Sequence, residues 1–148
     1  MIVSDKTKFG HCYLSFLSHF IFYIYVGIFM RSLRKSLVVS IDMAHALHPN
    51  YSGKHDPTMA PKINGGLVIK HNANQRYATN PISASMFRQF GKLASIPVQE
   101  FSVKSDSGCG STIGPIISTL SGILTVDCGS PQFSMHSIRY NLYTNNFI

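Results

Sequence analysis

From Ser36 onward, short apolar segments alternate with segments of helical pattern, and this alternation constrains the fold more than any other feature of the sequence. Buried strands are predicted over residues 37–41, 67–70, 98–103 and 123–126. Asn80-Pro81 opens a helix that ends before Pro97, because Asn is a good cap and Pro is favoured in the first turn. Further helices are predicted over residues 113–121 and from Ser134 onward. This order predicts an α/β fold in which helices cover a mainly parallel sheet.

The connections between these elements differ in character. Residues 43–66 are expected to form a long loop, since prolines and the pair Gly65-Gly66 recur there. The helix after Asn80 carries apolar residues at helical spacing, namely Ile82, Met86, Phe90 and Leu93. The sequence contains no internal repeat and no low-complexity tract.

Residues 9–30 contain no Asp, Glu, Lys or Arg, and this run is as long as the roughly 20 apolar residues that a membrane-spanning helix needs. Its apolar side chains would surround a helix on all sides, so we expect one helix that does not pack into the α/β core. Basic residues are in slight excess after the run, which would place its C-terminal side in the cytoplasm if it spans a membrane. A membrane anchor, an unrelated extension and a gene-model artefact all remain open as explanations.

The charge distribution and the cysteine content argue against nucleic-acid binding and against cysteine-based structural sites. The net charge is +7, but the basic residues are scattered except for Arg31, Arg34 and Lys35, so nucleic acid is not expected as a partner. The three cysteines are an odd number and form no CxxC motif, which argues against a disulfide framework and against a cysteine zinc site. A reducing compartment fits this cysteine usage best.

The segment DMAHALHPNY, residues 42–51, follows the first predicted strand and begins with an acid. Ligands bind at the carboxyl ends of strands in open α/β sheets, and an unpaired buried carboxylate is costly there. Asp42 is therefore equally consistent with a metal ligand and with a turn acceptor. Taken alone, His45 is expected to be a polar loop residue, and His48 is interpreted as part of the HPNY turn.

Three further segments have unusual composition: HNANQRYATN, SDSGCGSTIGP and SPQFSMHSIR. Taken alone, Lys70 and Tyr77 at the two ends of KHNANQRY are best interpreted as a strand-edge charge and a core aromatic. The glycine-rich segment around Gly108 leads into a helix, a setting that favours an anion or a polarised carbonyl. No Lys follows its glycines, so it is not a Walker phosphate loop. A lone histidine such as His136 is more often structural.

These four segments, in this order, resemble the C-terminal part of the aspartyl aminopeptidases, a family of two-zinc exopeptidases. The resemblance covers residues 36–139. It implies a partial α/β/α sandwich of the zinc-exopeptidase type, plus the N-terminal apolar helix. The chain is accordingly divided into an extension over residues 1–35, a partial catalytic domain over residues 36–140 and an unmatched tail over residues 141–148.

The resemblance also assigns roles to individual residues. By this resemblance Asp42 and His136 are zinc ligands, in a family site that holds two zinc ions when complete. The substrate-binding residues would be Asp42, His45, Lys70, Tyr77 and Gly108. The family releases N-terminal Asp or Glu from peptides, is cytoplasmic and forms homo-oligomers. Ser105 and Ser107 stand where relatives commonly have Asn and Met.

In the family, the general-base Glu, the bridging Asp and two further zinc ligands lie upstream of the matched segment, as does the assembly domain. Glu100 is the only Glu of this chain and lies on a predicted strand that the family does not use for catalysis. We therefore expect no catalytic residue in this chain, an incomplete zinc site and an inactive isolated polypeptide. The alternatives are a non-catalytic short protein that co-assembles with a full-length subunit, and a membrane-tethered remnant.

Overall fold

The structure is a computed structural model that describes residues 6–139 and 141–142, with side chains described from residue 15 to residue 139. It consists of two compact units, Met1–Ser36 and Leu37–Ile148.

The first unit is a single long helix, α1, over Lys6–Arg34. The one helix predicted for residues 9–30 is therefore confirmed. Large apolar side chains from Phe16 to Met30 are exposed around it, because no single apolar stripe exists that could be buried against a partner. The part Ser15–Arg34 has a mean hydropathy of 1.4, and none of it is buried, so by length and composition it is apolar enough to cross a membrane.

The second unit alternates strands and helices. Its elements are β1 (Leu37–Ile41), β2 (Ala44–His45), a 3-10 helix (Pro49–Lys54), β3 (Leu67–His71), α2 (Pro81–Leu93), β4 (Val98–Ser102), α3 (Ile113–Ser121), β5 (Leu124–Gly129), β6 (Pro131–Phe133) and β7 (Asn141–Leu142). The four strands and two central helices predicted from the sequence are all present.

The main sheet has four strands in the order β1-β5-β3-β4. β1 runs parallel to β5 with Leu37 opposite Leu124, and β3 runs parallel to β4 with Leu67 opposite Val98. Only the central pair, β3 and β5, is antiparallel. The mainly parallel sheet predicted from the alternating pattern is confirmed, and the carboxyl ends of β1 and β5 lie side by side.

A second, three-stranded sheet of order β2-β6-β7 corrects two predictions. Residues 43–66 are not one continuous loop, since they contain β2 and the 3-10 helix. The helix predicted from Ser134 is also wrong: the chain turns there and then forms β7. Ser134 has a φ of 60°, in the left-handed region that a right-handed helix cannot use, so the chain changes direction at this residue.

Helix α2 begins where the Asn-Pro pair predicts it. The Asn80 side chain accepts hydrogen bonds from the backbone N–H groups of Ile82 and Ser83, and the Ser83 hydroxyl accepts from the Asn80 N–H. The helix buries Ser83 and Ala84. The apolar positions noted in the sequence are exposed instead, namely Ile82, Met86, Phe90 and Leu93. The small side chains on the buried face let the helix lie close to the sheet.

The core of the second unit lies on both faces of β3. Val68 packs with Ala44, Tyr77 and Phe101, whereas Ile69 packs with Ala84 of α2 and with Val126. Because successive side chains of a strand point to opposite faces, Lys70 lies on the same face as Val68. That face, opposite α2, carries the candidate site.

Candidate metal and substrate site

A cavity of about 590 Å³ lies where β1, β2 and the loop after β6 come together. Its lining includes most of the residues that the resemblance singles out, namely Asp42, His45, Tyr77, Gly108 and His136. Lys70 is not a lining residue, but its ammonium group lies directly behind Asp42. The structure therefore brings all six predicted site residues to one place, although they are spread over most of the second unit.

Asp42 follows the last residue of β1 and is fixed at its backbone by a hydrogen bond from its N–H to the Cys128 carbonyl, at 2.9 Å. Its Oδ1 accepts a hydrogen bond from the Met43 N–H at 2.7 Å. Its Oδ2 lies 3.4 Å from the Lys70 Nζ. The carboxylate thus serves as a turn acceptor, and because its side chain is 52% exposed it also remains accessible to a ligand.

Lys70 is one of the most deeply buried residues of the chain, with a relative exposure of 1%. Its Nζ donates to the Asp42 carboxylate and to the Met43 carbonyl, both at 3.4 Å, and lies 4.9 Å from the centre of the Tyr77 ring. A buried ammonium group needs such partners, because an unpaired buried charge is costly. In this arrangement Lys70 contacts Asp42 and Tyr77 from behind the cavity wall.

Tyr77 is buried with its ring between the core and the cavity. Burial raises the pKa of its hydroxyl, and the neighbouring Cys109 raises this pKa further. A phenol with a raised pKa stays protonated at neutral pH and so keeps its ability to donate a hydrogen bond.

Four histidines border the cavity: His45, His48, His55 and His136. Burial lowers the pKa of His45, and the nearby charges of His55, His136 and Lys70 lower it further, while Asp42 acts in the opposite direction. His45 therefore favours the neutral imidazole, the form that can bind a metal or accept a hydrogen bond.

His48 lies at the start of the 3-10 helix, where its Nδ1 accepts from the Asn50 N–H. Its ring packs against those of Tyr51 and Phe133, with centroids 5.1 and 4.9 Å away. These contacts fit the interpretation of His48 as part of the HPNY turn.

The glycine-rich segment also lines the cavity, but its glycines are not equivalent. A Cβ on Gly108 or Gly110 would meet no atom within 4 Å. A Cβ on Gly114, at the start of α3, would overlap the carboxylate of Asp127. Close packing therefore requires glycine at position 114.

Asp127 lies behind the cavity and supports it, a role that the sequence analysis did not predict. The strand predicted over residues 123–126 stops one residue short of it, whereas β5 continues to Gly129. It is fully buried, and its carboxylate accepts hydrogen bonds from the Ala78 N–H and the Thr112 hydroxyl. An acid inside an apolar strand, TVDCG, was the available signal, because buried carboxylates require partners.

The side chains around Asp42 are of the types that bind zinc, but fewer of them are placed together than a zinc site usually has. Carboxylate and imidazole are common zinc ligands, and a site usually has three or four of them from the protein. In the described part of the chain, no group of three or more His, Cys, Asp and Glu side chains is placed to hold a metal ion. The number of zinc ions and the completeness of the site stay predictions.

The chain is similar in sequence to a known family of proteins. The family model described as aminopeptidase I zinc metalloprotease (M18) matches residues 15–148, a range that extends beyond residues 36–139 on both sides. A probable aspartyl aminopeptidase of Ricinus communis is 57% identical over 109 residues, which are 74% of this chain and 22% of the relative. A probable M18 family aminopeptidase 2 of Pseudomonas fluorescens (strain SBW25) is 57% identical over 111 residues, 75% of this chain and 26% of the relative. The chain thus spans about a quarter of the length of these relatives.

Solved structures show the same fold. The cryo-electron-microscopy structure of the Ape4 and Nbr1 complex matches with a TM-score of 0.74 at 49% identity, over 76% of this chain and 21% of that chain. The crystal structure of prApe1 matches with a TM-score of 0.73 at 29% identity, over 76% and 24%. The S. cerevisiae mApe1 dodecamer matches with a TM-score of 0.67 at 27% identity, again over 76% and 24%. With the family model covering most of its length, the chain belongs to the aminopeptidase I zinc metalloprotease (M18) family.

Proposed function

We propose that residues 36–140 form the part of an aspartyl aminopeptidase that supplies one side of a two-zinc site and two walls of its substrate cleft. The complete enzyme would release N-terminal Asp or Glu from peptides. The observation that carries this proposal is the convergence of five predicted residues on one cavity, with Lys70 directly behind it. The Ricinus communis relative, named probable aspartyl aminopeptidase, supports the substrate class.

Asp42 and His136 are the proposed zinc ligands of this segment. Both border the cavity, and the charges of both influence the pKa of His45, so both lie close to His45. When bound, zinc would act as a Lewis acid that activates water. Lys70 would hold the Asp42 carboxylate in place from behind, so that the carboxylate keeps a fixed direction.

The substrate contacts are proposed for His45, Tyr77 and Gly108. The protonated Tyr77 hydroxyl can donate to a carbonyl oxygen that gains negative charge during attack by water. Gly108 leaves its side of the cavity open, since no atom lies within 4 Å of the position of a Cβ. Lys70 also belongs to this proposed set and would strengthen the binding of an acidic residue through its positive charge.

A polypeptide limited to these 148 residues is proposed to be inactive. Its only Glu, Glu100, pairs with Arg88 and with His71 and is not among the cavity-lining residues. Among the described residues, the cavity therefore offers no carboxylate to act as general base besides Asp42. Loss of a general base alone typically lowers the rate by on the order of 10²–10⁴-fold.

The test is an assay of the purified 148-residue chain with zinc and a peptide that begins with Asp. We expect weak peptide binding and no measurable release of the N-terminal residue. Turnover that disappears in Asp42→Ala and persists in the exposed control Lys92→Ala would contradict the proposed inactivity. Absence of peptide binding at millimolar concentration would contradict the proposed substrate walls.

Co-assembly with a full-length subunit is the second proposed role. One structural relative is a dodecamer, and large apolar side chains of α2 and α3 are exposed in this chain, including Leu93 and Leu120. Co-expression with a full-length relative followed by size-exclusion chromatography would test this role. A chain that always elutes separately from the full-length subunit would contradict it.

For localisation, we propose the cytoplasm, with a membrane-tethered form as the alternative. The alternative is supported by α1, whose apolar residues are exposed on all sides over Ser15–Arg34. Flotation of the chain with lipid vesicles, compared with a chain lacking residues 1–35, distinguishes the two. Recovery of both chains in the soluble fraction would contradict the tether.

A further inference from the structure

Asp127 connects two segments that both line the cavity, one at Tyr77 and one at Gly108. Its Oδ2 accepts a hydrogen bond from the Ala78 N–H at 2.5 Å, and its Oδ1 accepts one from the Thr112 hydroxyl at 2.7 Å. Ala78 immediately follows Tyr77, and Thr112 lies at the end of the glycine-rich segment that contains Gly108. Each carboxylate oxygen is therefore bonded to a different wall.

The backbone of Asp127 strengthens the connection to the first wall. Its N–H donates to the Thr79 hydroxyl oxygen at 2.9 Å, and its carbonyl accepts from the same hydroxyl at 3.3 Å. The two walls also touch each other, since the Thr112 N–H lies 3.4 Å from the Arg76 carbonyl. Three segments far apart in the sequence thus meet at one buried carboxylate.

The burial of Asp127 makes these hydrogen bonds strong constraints. The residue is fully buried, and among the ion pairs of the described residues none involves it. A carboxylate in this setting is stable only while its oxygens accept hydrogen bonds. Gly114 permits the arrangement, because any side chain there would overlap the carboxylate.

We propose that Asp127 is a positioning residue that fixes the spacing between the Tyr77 wall and the Gly108 wall of the cavity. It is not among the described residues that line the cavity, and it acts through Ala78 and Thr112. What the cavity binds rests on the proposed function above, whereas the control of wall spacing rests on the hydrogen bonds alone.

The key variant is Asp127→Asn, which removes the charge and replaces one acceptor oxygen by an NH2 donor, so the two charge-assisted hydrogen bonds of the carboxylate are lost. Thr112→Val breaks only the link to the glycine-rich segment, and Thr112→Ser retains the hydroxyl and should restore it. The matched control is Thr125→Val, which removes a buried hydroxyl from the same strand. The only described hydrogen bond of that hydroxyl is to the nearby Ile123 carbonyl.

Amide hydrogen exchange of the 148-residue chain, followed by NMR, is the first measurement. In Asp127→Asn we expect exchange to accelerate by roughly tenfold or more in residues 76–79 and 108–114, with β1 and β3 little changed. Thr112→Val should affect the second segment, while Thr112→Ser and Thr125→Val should resemble the wild type. A uniform acceleration across all strands, or none at the two walls in both Asp127→Asn and Thr112→Val, would overturn the proposal.

Peptide binding is the second measurement. We expect the dissociation constant of an N-terminal-Asp peptide to rise roughly tenfold in Asp127→Asn and to stay unchanged in Thr125→Val. Equal affinities in wild type and Asp127→Asn, at equal stability, would overturn the positioning role. If the wild type binds no peptide, the proposed function is wrong, and the exchange measurement still decides the role of Asp127.

Discussion

The Lys70 Nζ lies 3.4 Å from Oδ2 of Asp42, yet the two side chains are buried to very different extents, 1% exposed for the lysine and 52% for the aspartate. The two partners of this ion pair therefore depend on each other unequally. Without Lys70, Asp42 can still be solvated by water and keeps its hydrogen bond from the Met43 N–H. Without Asp42, the buried ammonium keeps only the Met43 carbonyl as a hydrogen-bond acceptor among the described contacts.

Loss of Asp42 should consequently destabilise the fold more than loss of Lys70. In zinc-free buffer, Lys70→Met should change the free energy of unfolding by less than about 1 kcal/mol, because an apolar side chain of similar length fills the site. Asp42→Ala should lower it by about 2–3 kcal/mol, since it leaves a buried charge poorly paired. Urea unfolding of the two variants checks the order, and a larger loss for Lys70→Met would contradict it.

Zinc binding should depend on both proposed ligands and not on the neighbouring turn histidine. We expect the isolated chain to bind zinc weakly and Asp42→Ala and His136→Ala each to abolish the binding, because two ligands are already fewer than a usual site provides. His48→Ala should retain it, as His48 bonds the Asn50 N–H and packs on Phe133. Isothermal titration calorimetry is the measurement, and retention of full affinity in His136→Ala would rule out the proposed ligand.

The two cysteines of the second unit should differ strongly in reactivity. Cys128 is fully buried and burial raises its pKa to about 11, so about one thousandth of it is thiolate at pH 8. Cys109 is partly exposed and borders the cavity. In a Cys12→Ser background, iodoacetamide should modify Cys109 at least about a hundredfold faster. Mass spectrometry of peptides follows the reaction, with denatured protein as the control in which both react alike.

Glycine should be essential at position 114 and replaceable at position 110. Gly114→Ala should lower the free energy of unfolding by about 1–3 kcal/mol, because the added methyl group overlaps the Asp127 carboxylate. Gly110→Ala meets open space and should change it by less than about 0.5 kcal/mol. Similar losses in the two variants would show that loop flexibility, not packing, explains the glycines.

Asp56 should contribute to stability at neutral pH and lose that contribution in acid. Hydrogen bonds from the Thr58 hydroxyl and N–H lower the pKa of its carboxyl below the ordinary 3.8. The folded state therefore binds a proton less readily than the unfolded state, so the contribution is complete above pH 3.8 and disappears as pH falls through the lower, folded pKa. In Asp56→Asn, the free energy of unfolding should therefore fall less steeply than in the wild type as the pH decreases below 3.8. Urea midpoints measured against pH test this, with the equal charge change Asp106→Asn as control.

The strands and α2 could be predicted because each carries a local signal. Residues 37–41 form a short apolar run, and Asn80-Pro81 is a helix start that the structure confirms in detail. β2, β6 and β7 have two or three residues each, too few for any periodic pattern to be detected. The helix expected from Ser134 fails because a single left-handed residue redirects the chain, and serine gives no warning of that conformation.

The candidate site could not be predicted from local sequence patterns alone. Asp42 and His136 lie far apart in the sequence, so only the ordered match of four motifs could indicate that they border one cavity. Lys70 lies behind Asp42, with its Nζ 3.4 Å from the carboxylate, and its contact with the substrate stays a prediction. Asp127 was missed because its role arises from two hydrogen bonds across 49 and 15 residues, and such long-range contacts leave no spacing signal.

The pairing of β1 with β5 also determines when the site can form during protein synthesis. Leu37 lies opposite Leu124, so the strand that precedes Asp42 leaves the ribosome long before β5, its one neighbour among the described strands of the main sheet. Among the described strands, β1 pairs in that sheet with β5 alone, so this pairing waits until β5 is made. Native contacts of such large sequence separation form slowly. We therefore expect the cavity to form late in folding, after the chain has passed through states that are prone to aggregation.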